Sequence, residues 1–413
     1  MKVLLVADLY PPLIGGTERY VQNLARELVR RGNEVAVATI RLPGTARTEV
    51  DQFGVRVYRI DQGWATRMKR AYATDRPHHP SVADPGVSSA LRTIAALERP
   101  DIVHAHNWML YSYLAAAGRR YQAPVLASLH DYWPICPARS LCSGGQTCRH
   151  ATLSATLRCA VRNYGQAKGL ALGMGLWNSR RRWHPRVDRY LAVSQYVADV
   201  CQPALAGRPV FVAPTFVSAD LVAVADNTPA PDFLPDRPYL LYVGGLGAHK
   251  GVTVLADAYR QLGSSAPPLL VLGTPASGCD VRWPPNVHVV HNVPHNQVMA
   301  TWRHALAGVI PSIWPEPFGQ VAVEAMVTGT PIIASAVGGL ADLVAKHPAG
   351  TLVTAGSPTA LAAGLRHVLN APDLRRRAQE AGPTAAAPFL ATKAVDIIEH
   401  HYTEVIAQHG VKQ

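Results

Sequence analysis

Residues 311–326 read PSIWPEPFGQVAVEAM and carry more information than any other stretch of the chain. Glu316 lies in a loop bounded by prolines, whereas Glu324 lies one turn into an apolar segment that reads as a helix with Gly319 at its start. Backbone N–H groups at the start of a helix have no partner within the helix and point towards a bound anion. The two carboxylates flank this anion site, so the stretch suits a ligand with an anionic middle and hydroxyl groups at both ends. A nucleotide diphosphate sugar has that shape.

The bulk composition indicates a two-domain globular protein with an anionic ligand. The chain has 413 residues, which is too long for one hydrophobic core, so we expect two domains of roughly 200 residues. Hydrophobic residues make up 48% of the chain, enough for both domains to fold. The net charge of +12 suits a phosphorylated ligand or an anionic membrane surface. No nucleic-acid-binding signature accompanies the charge, so we expect no nucleic-acid partner.

The amino terminus predicts a cytoplasmic protein. Its apolar run is short and is interrupted by Pro11 and Pro12, which is unlike a signal peptide. No stretch approaches the ~18 apolar residues of a membrane span. One segment, residues 165–190, combines an apolar centre with Lys168 and Arg180 to Arg182, as in helices that lie peripherally at the inner face of the membrane. A core helix with a basic end is the alternative, and four glycines weaken the helix prediction itself.

Short apolar runs alternate with helical patterns along the chain, which predicts parallel sheets covered by helices. The predicted strands lie near 2–7, 35–40, 55–59, 101–104, 124–128, 189–193, 209–212, 239–243, 269–272, 287–290, 308–311, 331–334 and 350–353. Each half of the chain opens with a strand that runs into a glycine pair, Gly15-Gly16 and Gly244-Gly245, as doubly wound nucleotide-binding domains do. We therefore predict an α/β fold of two Rossmann-like doubly wound parallel-sheet domains that face each other across a cleft.

The predicted boundaries follow changes in composition. We place the first domain at 1–215, a linker at 216–237 that lacks periodicity, and the second domain at 238–390. A helical stretch at 391–413 is expected to pack back on the first domain. Two long irregular segments, 61–86 and 131–188, interrupt the alternation in the first domain, and long loops of this kind are often functional.

The segment from Glu316 to Met326, followed by Gly329, Pro331 and Gly338-Gly339, resembles the signature of glycosyltransferase family 4. Members of that family are retaining, metal-independent nucleotide-sugar transferases with the two-domain GT-B fold. Further matches are spread over nearly the whole chain: Gly15-Gly16-Thr17-Glu18, Asp101 to His106, Leu129-His130-Asp131, Tyr242-Val243-Gly244 and Lys250-Gly251. The resemblance implies that the second domain binds the sugar donor and the first domain binds the acceptor.

The resemblance also implies roles for the residues of the second domain. Glu316 would face the hydroxyls of the donor sugar, Glu324 would accept hydrogen bonds from both ribose hydroxyls, and Lys250 would neutralise the diphosphate as charge builds on it. Four residues would hold the sugar and diphosphate through their backbone amides: Phe318, Gly319, Gln320 and Val321. The remaining donor-binding positions are Gly15, Gly244 and Gly245.

One position departs from the family pattern. An arginine usually follows the first glycine of the turn after the opening strand, and here that position is Gly245. Either His249, Arg67 or another base supplies the missing charge, or turnover is weak. The departure motivates an alternative function, a non-catalytic sugar-nucleotide-binding protein. A nucleotide-sugar epimerase would need a different set of carboxylates and histidines.

In the first domain, the resemblance makes His130 a contact of the donor sugar near its anomeric carbon, through its backbone or its ring. The neighbouring Asp131 is expected to orient it. His106 is expected to line the cleft and His104 to lie in the core. Gly15 and Gly16 are expected to form a tight turn over the reaction centre, with Thr17 as a helix cap in the simpler interpretation. We count Gly16 with His130, Glu316 and Lys250 as the catalytic set.

The implied reaction retains the anomeric configuration and uses no enzymic nucleophile. We expect no cofactor and no metal, with the nucleotide diphosphate sugar as co-substrate and a glycan, a lipid-linked glycan or a small hydroxyl compound as acceptor. Four cysteines lie within 24 residues: Cys136, Cys142, Cys148 and Cys159. Their spacing differs from that of a usual zinc knuckle, so we expect isolated thiols, with a structural zinc as the alternative.

Overall fold

The structure is a computed structural model that describes residues 1–13, 15–61, 63, 79–117, 123–143, 146–147, 152–275 and 279–410. The chain divides into two compact units. Unit 1 comprises Met1–Ser143, Cys148–Thr215 and Ala391–Gln413. Unit 2 comprises Gly144–Thr147 and Phe216–Leu390.

The elements alternate along the chain as in doubly wound proteins. The strands are β1 (Lys2–Ala7), β2 (Glu34–Ile40), β3 (Thr48–Val50), β4 (Arg56–Ile60), β5 (Ile102–His106), β6 (Val125–Leu129), β7 (Cys142–Ser143), β8 (Gln146–Thr147), β9 (Arg189–Ala192), β10 (Val210–Val212), β11 (Leu240–Val243), β12 (Leu269–Leu272), β13 (Val287–Val290), β14 (Ala307–Ile310), β15 (Ile332–Ser335) and β16 (Gly350–Val353). The α-helices are α1 (Gly16–Arg30), α2 (Pro85–Glu98), α3 (Met109–Ala116), α4 (Leu153–Tyr164), α5 (Gln166–Trp183), α6 (Gln195–Cys201), α7 (Leu221–Asn227), α8 (Val252–Leu262), α9 (His295–His304), α10 (Gln320–Val327), α11 (Gly338–Ala345), α12 (Pro358–Leu369), α13 (Pro372–Ala386) and α14 (Ala391–Gly410).

Unit 1 is built on a sheet with the strand order β10-β9-β6-β5-β1-β2-β4-β3. All its strands pair in parallel except β3, which runs antiparallel to β4. The central strands β1, β5 and β6 are buried along almost their whole length, because helices cover both faces of a parallel sheet. The strand order reverses between β1 and β5, which is where open α/β sheets bind their ligands.

Unit 2 is built on a parallel sheet with the strand order β13-β12-β11-β14-β15-β16. Its order reverses between β11 and β14, so the loops that follow these two strands meet at a topological switch point. The core beneath these loops consists of apolar side chains from β11, β12 and β14 and from the helices α8 and α12.

The prediction of two Rossmann-like parallel-sheet domains is confirmed. Every predicted strand has a counterpart whose ends lie within two residues of the prediction. Strand β3 was not predicted, because its three residues are all exposed and carry no apolar alternation. The predicted linker also contains a helix, α7, which packs against α9 in unit 2 and pairs its Asp226 with Arg303.

Helix α5 forms despite the glycines that weakened its prediction. A Cβ added at Gly169 would lie 2.4 Å from the Cα of Val161, and one at Gly173 would lie 2.9 Å from a methyl group of Leu157. The glycines therefore permit the close packing of α5 on α4. Leu170 and Met174 remain exposed on the other side of α5. Within the described residues, no helix is both long and apolar enough to cross a bilayer.

The last helix, α14, belongs to unit 1 and packs against α1. Arg31 donates hydrogen bonds of 2.7 Å to the carboxylates of Asp396 and Glu399 on α14. Its buried face reaches the central sheet, where Tyr402 is hydrogen-bonded at 2.7 Å to His104 of β5. The helix is therefore part of the core of unit 1.

Candidate functional site

The candidate donor site lies at the switch point of unit 2. Residues 244–251 follow β11, and residues 311–319 follow β14 and lead into α10. The two loops are held together at Gly251, which has a φ of +74° and where a Cβ would lie 1.8 Å from the carbonyl oxygen of Pro311. Only glycine accommodates both this conformation and this contact. The Lys250-Gly251 pair of the sequence motif therefore joins the two halves of the site.

Lys250 and Glu316 form an ion pair between these loops. The ammonium of Lys250 donates to Oε1 of Glu316 at 2.8 Å and to Oε2 at 3.0 Å. Ser312 Oγ and Trp314 Nε1 also donate to Oε2, at 3.0 and 2.7 Å. Burial alone would raise the pKa of Glu316, but the charge and hydrogen bond of Lys250, with those of Ser312 and Trp314, hold that pKa below its usual value. The carboxylate is therefore ionised and fixed in position.

Two aromatic rings complete the surroundings of Lys250. Its ammonium lies 5.1 Å from the centre of the Trp314 ring, within range of a cation–π contact. The ring of His249 meets Trp314 edge to face at 5.6 Å. Burial, and after it the charge of Lys250, lower the pKa of His249, so its ring is neutral at pH 7. His249 is thus a poor source of the positive charge that Gly245 lacks, and the other candidate, Arg67, lies outside the described residues.

Helix α10 begins beside Glu316. Gly319 is its N-cap, with a φ of +101°, and no described side chain caps the first turn. The amides of Gln320 and Val321 start this turn, which suits them to an anion. The side chain of Phe318 is buried against Phe389, with ring centres 5.6 Å apart, so Phe318 offers a ligand its backbone only.

Glu324 lies in the same helix and is 5% exposed. Its Oε1 is 3.0 Å from Nε2 of His295, the first residue of α9. Glu316 and Glu324 thus have separate partners, a lysine and a histidine. The pairing with His295 was not predicted, because nothing in the sequence near residue 295 marks it.

Gly244 and Gly245 occupy the turn after β11, as predicted. Gly273, which directly follows the neighbouring strand β12, approaches this turn so closely that a Cβ there would lie 2.0 Å from the carbonyl oxygen of Gly244. The Tyr242 hydroxyl donates to the carbonyl oxygen of Gly245 at 2.8 Å. A Cβ at Gly245 would meet no described atom within 4 Å, so this position has room for a side chain.

In unit 1, the candidate histidines lie at the carboxyl ends of β5 and β6. His130 follows β6, and its Nε2 is 2.9 Å from Nδ1 of His106. Burial, with a smaller effect of the Arg139 charge, lowers the pKa of His130 to about 3, so the ring is neutral at pH 7. The ring of Tyr20 packs edge to face on His130 at 4.6 Å. His106 is fully buried and supports His130 from behind, whereas the sequence predicted that it lines the cleft.

The expected role of Asp131 in orienting His130 is wrong. Asp131 Oδ2 instead accepts a hydrogen bond of 2.7 Å from Arg139, and its Oδ1 accepts one of 2.8 Å from the backbone N–H of Trp133. Arg139 also comes within 4.0 Å of Asp8 at the end of β1. Burial outweighs this cation and raises the pKa of Asp8 to about 7. The side chain that is hydrogen-bonded to His130 is therefore His106 and not Asp131.

The glycine pair after β1 differs from its prediction in detail. Gly16 is the first residue of α1, and Gly15 is the N-cap with an extended backbone at φ −146°. The pair therefore forms no tight turn, and Thr17 lies inside the helix rather than capping it. What the motif supplies is the start of a helix of 15 residues, whose first turn no described side chain caps.

Sequence reasoning missed several residues that hold the candidates in place: Ser312, Trp314, His295 and Arg139. The first two could have been found, since they lie within four residues of Glu316 and can donate hydrogen bonds. His295 is 29 residues away in sequence from its partner Glu324. Arg139 lies in a loop with no regular secondary structure. No local sequence pattern therefore identifies either residue.

Comparison with known families assigns both halves of the chain. The model of Glycosyltransferase Family 4 matches residues 14–221. The model of Glycosyl transferases group 1 matches residues 226–385.

Curated relatives match along nearly their full length. The chain is 29% identical over 388 residues to D-inositol 3-phosphate glycosyltransferase of Xylanimonas cellulosilytica, covering 90% of this chain and 87% of that protein. It is 26% identical over 431 residues to glycogen synthase of Mycobacterium tuberculosis, covering 94% of this chain and 91% of that protein.

Solved structures share the fold. Sucrose-phosphate synthase from Thermosynechococcus elongatus matches with a TM-score of 0.73 and 20% identity, over 99% of this chain and all of that one. Anabaena HepE in complex with UDP-glucose matches with a TM-score of 0.67 and 17% identity, over 97% of this chain and 99% of that one. Because one family model spans half of the chain and the other most of the remainder, this protein belongs to glycosyltransferase family 4, with a carboxyl-terminal half of the group 1 glycosyl transferases.

Proposed function

We propose that this glycosyltransferase moves a sugar, with retention of anomeric configuration, from a nucleotide diphosphate sugar to a glycan, a lipid-linked glycan or a small hydroxyl compound. The observation that carries the proposal is the Lys250–Glu316 ion pair at the switch point of unit 2, directly before the start of α10. A nucleotide-sugar donor agrees with the UDP-glucose named for the structurally similar Anabaena protein.

The donor contacts follow from the chemistry of these groups. Glu316 is ionised, and its Oε1, which among the described residues accepts a hydrogen bond only from Lys250, accepts a sugar hydroxyl as well. The third N–H of the Lys250 ammonium donates to the diphosphate and stabilises the charge that develops as the glycosidic bond breaks. The amides of Gly319 to Val321 bind the same anion, and Glu324 accepts the ribose hydroxyls beside His295.

The proposed reaction needs no metal at the diphosphate, since Lys250 and the start of α10 supply the positive potential. It also needs no cofactor. We assign His130, which is neutral and hydrogen-bonded to His106, as a hydrogen-bonding contact of the donor sugar. The start of α1 at Gly15 and Gly16 is proposed as a second contact. An unchanged rate on addition of Mg²⁺ or Mn²⁺ is the expected result for such a site.

A thermal-shift screen of UDP-, GDP- and ADP-sugars tests the donor site. One nucleotide is expected to raise the melting temperature of the unmodified protein and to have little effect on Glu324→Gln, which removes the charge of the carboxylate and replaces one of its two acceptor oxygens by an NH2 donor, with little change of shape. Glu380→Gln, an exposed glutamate of α13, is the matched control and is expected to respond as the unmodified protein does. The proposal fails if no nucleotide shifts the melting temperature, or if Glu324→Gln responds fully.

The alternative, a non-catalytic sugar-nucleotide-binding protein, rests on Gly245. It predicts a nucleotide-dependent shift with no release of nucleotide diphosphate. The anomeric configuration of any product, read by NMR, decides whether the transfer is retaining.

The missing positive charge at Gly245 gives a gain-of-function prediction. Because a side chain fits at this position, Gly245→Arg is expected to raise kcat/KM roughly tenfold by adding a cation near the diphosphate. Gly245→Met adds similar bulk without charge and is expected to leave kcat/KM unchanged or lower. Steady-state kinetics with the preferred donor measures both, and equal rates for the two variants would show that charge is not limiting.

We also propose a peripheral membrane contact at the exposed face of α5. Leu170 and Met174 are exposed there, and Arg181 and Arg182 are exposed at the end of the same helix. Apolar and basic groups on one helix favour an anionic bilayer surface. The protein is expected to float with anionic liposomes, less so after Arg181→Glu/Arg182→Glu, and a protein that stays unbound contradicts the proposal.

A further inference from the structure

The rings of His106 and His130 form a hydrogen-bonded pair at the end of the unit 1 sheet. His106 is the last residue of β5, and His130 directly follows β6, the strand that pairs with β5. Nδ1 of His106 is 2.9 Å from Nε2 of His130, and the ring centres are 5.1 Å apart. His106 is 0% exposed, whereas His130 is only partly buried. One ring is therefore enclosed by protein, and the other is open to a ligand.

Only one of the two rings donates the hydrogen bond in this pair. Burial holds the pKa of both rings well below its usual value, so each is neutral at pH 7 and carries a single ring proton. If His106 donates from Nδ1, its Nε2 is bare and the proton of His130 is on Nδ1. If His130 donates from Nε2, the proton of His106 is on Nε2 and Nδ1 of His130 is bare. The two arrangements give His130 opposite roles towards a ligand.

The surroundings of His106 decide between these arrangements. Its Nε2 is buried and has no hydrogen-bond partner among the described residues. The ring of His104 lies 4.3 Å away, centre to centre, but its two nitrogens are already bonded to the hydroxyls of Tyr402 and Ser128, at 2.7 and 2.8 Å. A proton on Nε2 of His106 would therefore be a buried N–H without an acceptor. Among buried backbone groups such an N–H is rarer than an unsatisfied acceptor, and the same preference leaves this nitrogen bare.

We propose that His106 fixes the tautomer of His130, by donating from its Nδ1 to Nε2 of His130 and so placing the proton of His130 on Nδ1. No described residue is hydrogen-bonded to that Nδ1, so its N–H remains for the ligand. In the proposed function, on which this role rests, the N–H donates to an oxygen atom of the donor sugar. The ring oxygen and the glycosidic oxygen carry no hydrogen, so only this tautomer of His130 can bind them. His106 is a positioning residue, because it acts on the sugar only through His130.

NMR of the ring nitrogens tests the proposal on the full chain without any ligand. Long-range proton–nitrogen spectra distinguish protonated from bare ring nitrogens, and His130→Gln identifies the His130 signals by their loss. Two histidines serve as internal references, because Nδ1 of His184 donates to the carbonyl oxygen of Ala204 at 2.9 Å and Nε2 of His295 donates to Glu324 at 3.0 Å. We expect His130 to be protonated at Nδ1 and bare at Nε2. A proton on Nε2 of His130 overturns the proposal, whatever the donor screen shows.

Two substitutions at His106 separate its hydrogen bond from its packing. In His106→Asn the side-chain amide takes the place of the Nδ1–H group, so the tautomer of His130 and most of kcat/KM are expected to be kept. His106→Leu has similar bulk without a donor, so the His130 proton is expected to move towards Nε2. The loss of one hydrogen bond to the transition state is then expected to lower kcat/KM roughly tenfold.

Melting temperatures of both variants show how much of any difference comes from stability. Equal kcat/KM and the same His130 tautomer in the two variants would show that His106 acts through packing alone. If either variant fails to fold, the spectrum of the unmodified protein decides, because it reports the tautomer of His130 directly.

Discussion

Replacing Lys250 by methionine is expected to lower kcat about 10²–10³-fold, which is the usual effect of removing one group that stabilises developing charge. It is also expected to destabilise unit 2 by roughly 2–4 kcal/mol, because the Glu316 carboxylate, whose side chain is only 13% exposed, loses its counter-ion. The two effects have different causes, and a second substitution separates them. Initial rates of nucleotide diphosphate release and thermal unfolding measure them.

The double variant Lys250→Met/Glu316→Gln removes the uncompensated charge. A glutamine at this position still accepts hydrogen bonds from Ser312 and Trp314, so the melting temperature is expected to recover most of its loss. Activity is expected to stay low, because both charged groups are gone. Lys346→Met, at an exposed lysine of the same unit, is the control and is expected to change neither quantity. Recovery of activity in the double variant would show that the ion pair is structural and takes no part in transfer.

Unit 1 is expected to lose stability steeply between pH 7 and pH 5, because it buries several neutral histidines. Burial lowers the pKa of His104 and His184 to about 3 and that of His79 to about 4, and it lowers the pKa of His106 as well. All four are at most 1% exposed. In the unfolded chain their pKa is about 6.5. As the pH falls below this value, the unfolded state therefore binds protons that the folded state does not bind. The stability they contribute is complete above pH 6.5 and is lost as the pH falls.

The sign and size of the effect follow from this linkage. Each of these histidines lowers the free energy of unfolding by about 2 kcal/mol at pH 5. Asp8 acts in the opposite direction, since its raised pKa of about 7 favours the folded state as the pH falls, by about 2 kcal/mol between pH 7 and pH 5. The net expected loss from these five groups is therefore several kcal/mol, a large part of the total stability of a domain.

Pulse-labelling hydrogen exchange measures this loss for each unit separately. The protein is equilibrated in urea at pH 7.5 or pH 5.0 and then labelled briefly at one common pH, and peptides report the folded fraction. Peptides from β5 and β6 are expected to unfold at a much lower urea concentration at pH 5.0. Equal midpoints at the two pH values would contradict the assignment of these histidines as neutral and buried.

Local patterns in the sequence predicted the sheets because a buried strand requires a short continuous run of apolar residues. The runs at β1, β11 and β14 are apolar except for the exposed Lys2 that begins β1, and glycines follow them before the next helix. The exposed edge strand β3 and helix α7 in the supposed linker carry weak patterns and were missed. The glycines of α5 made its prediction weaker, because glycine disfavours a helix. Their role, which is to allow close packing on α4, depends on a neighbouring helix and cannot be read from the local sequence.

The sequence by itself determined the family, the two parallel-sheet domains and the candidate residues His130, Lys250, Glu316 and Glu324, because these are properties of residue type and short-range spacing. Only the tertiary structure decided their partners. Lys250 meets Glu316 across 66 residues, Glu324 meets His295 across 29, and Cys136 meets Cys159 across 23. Such pairings depend on how separate strands and helices are ordered and packed, which brings side chains within 3 to 4 Å of each other without leaving any periodic trace in the chain.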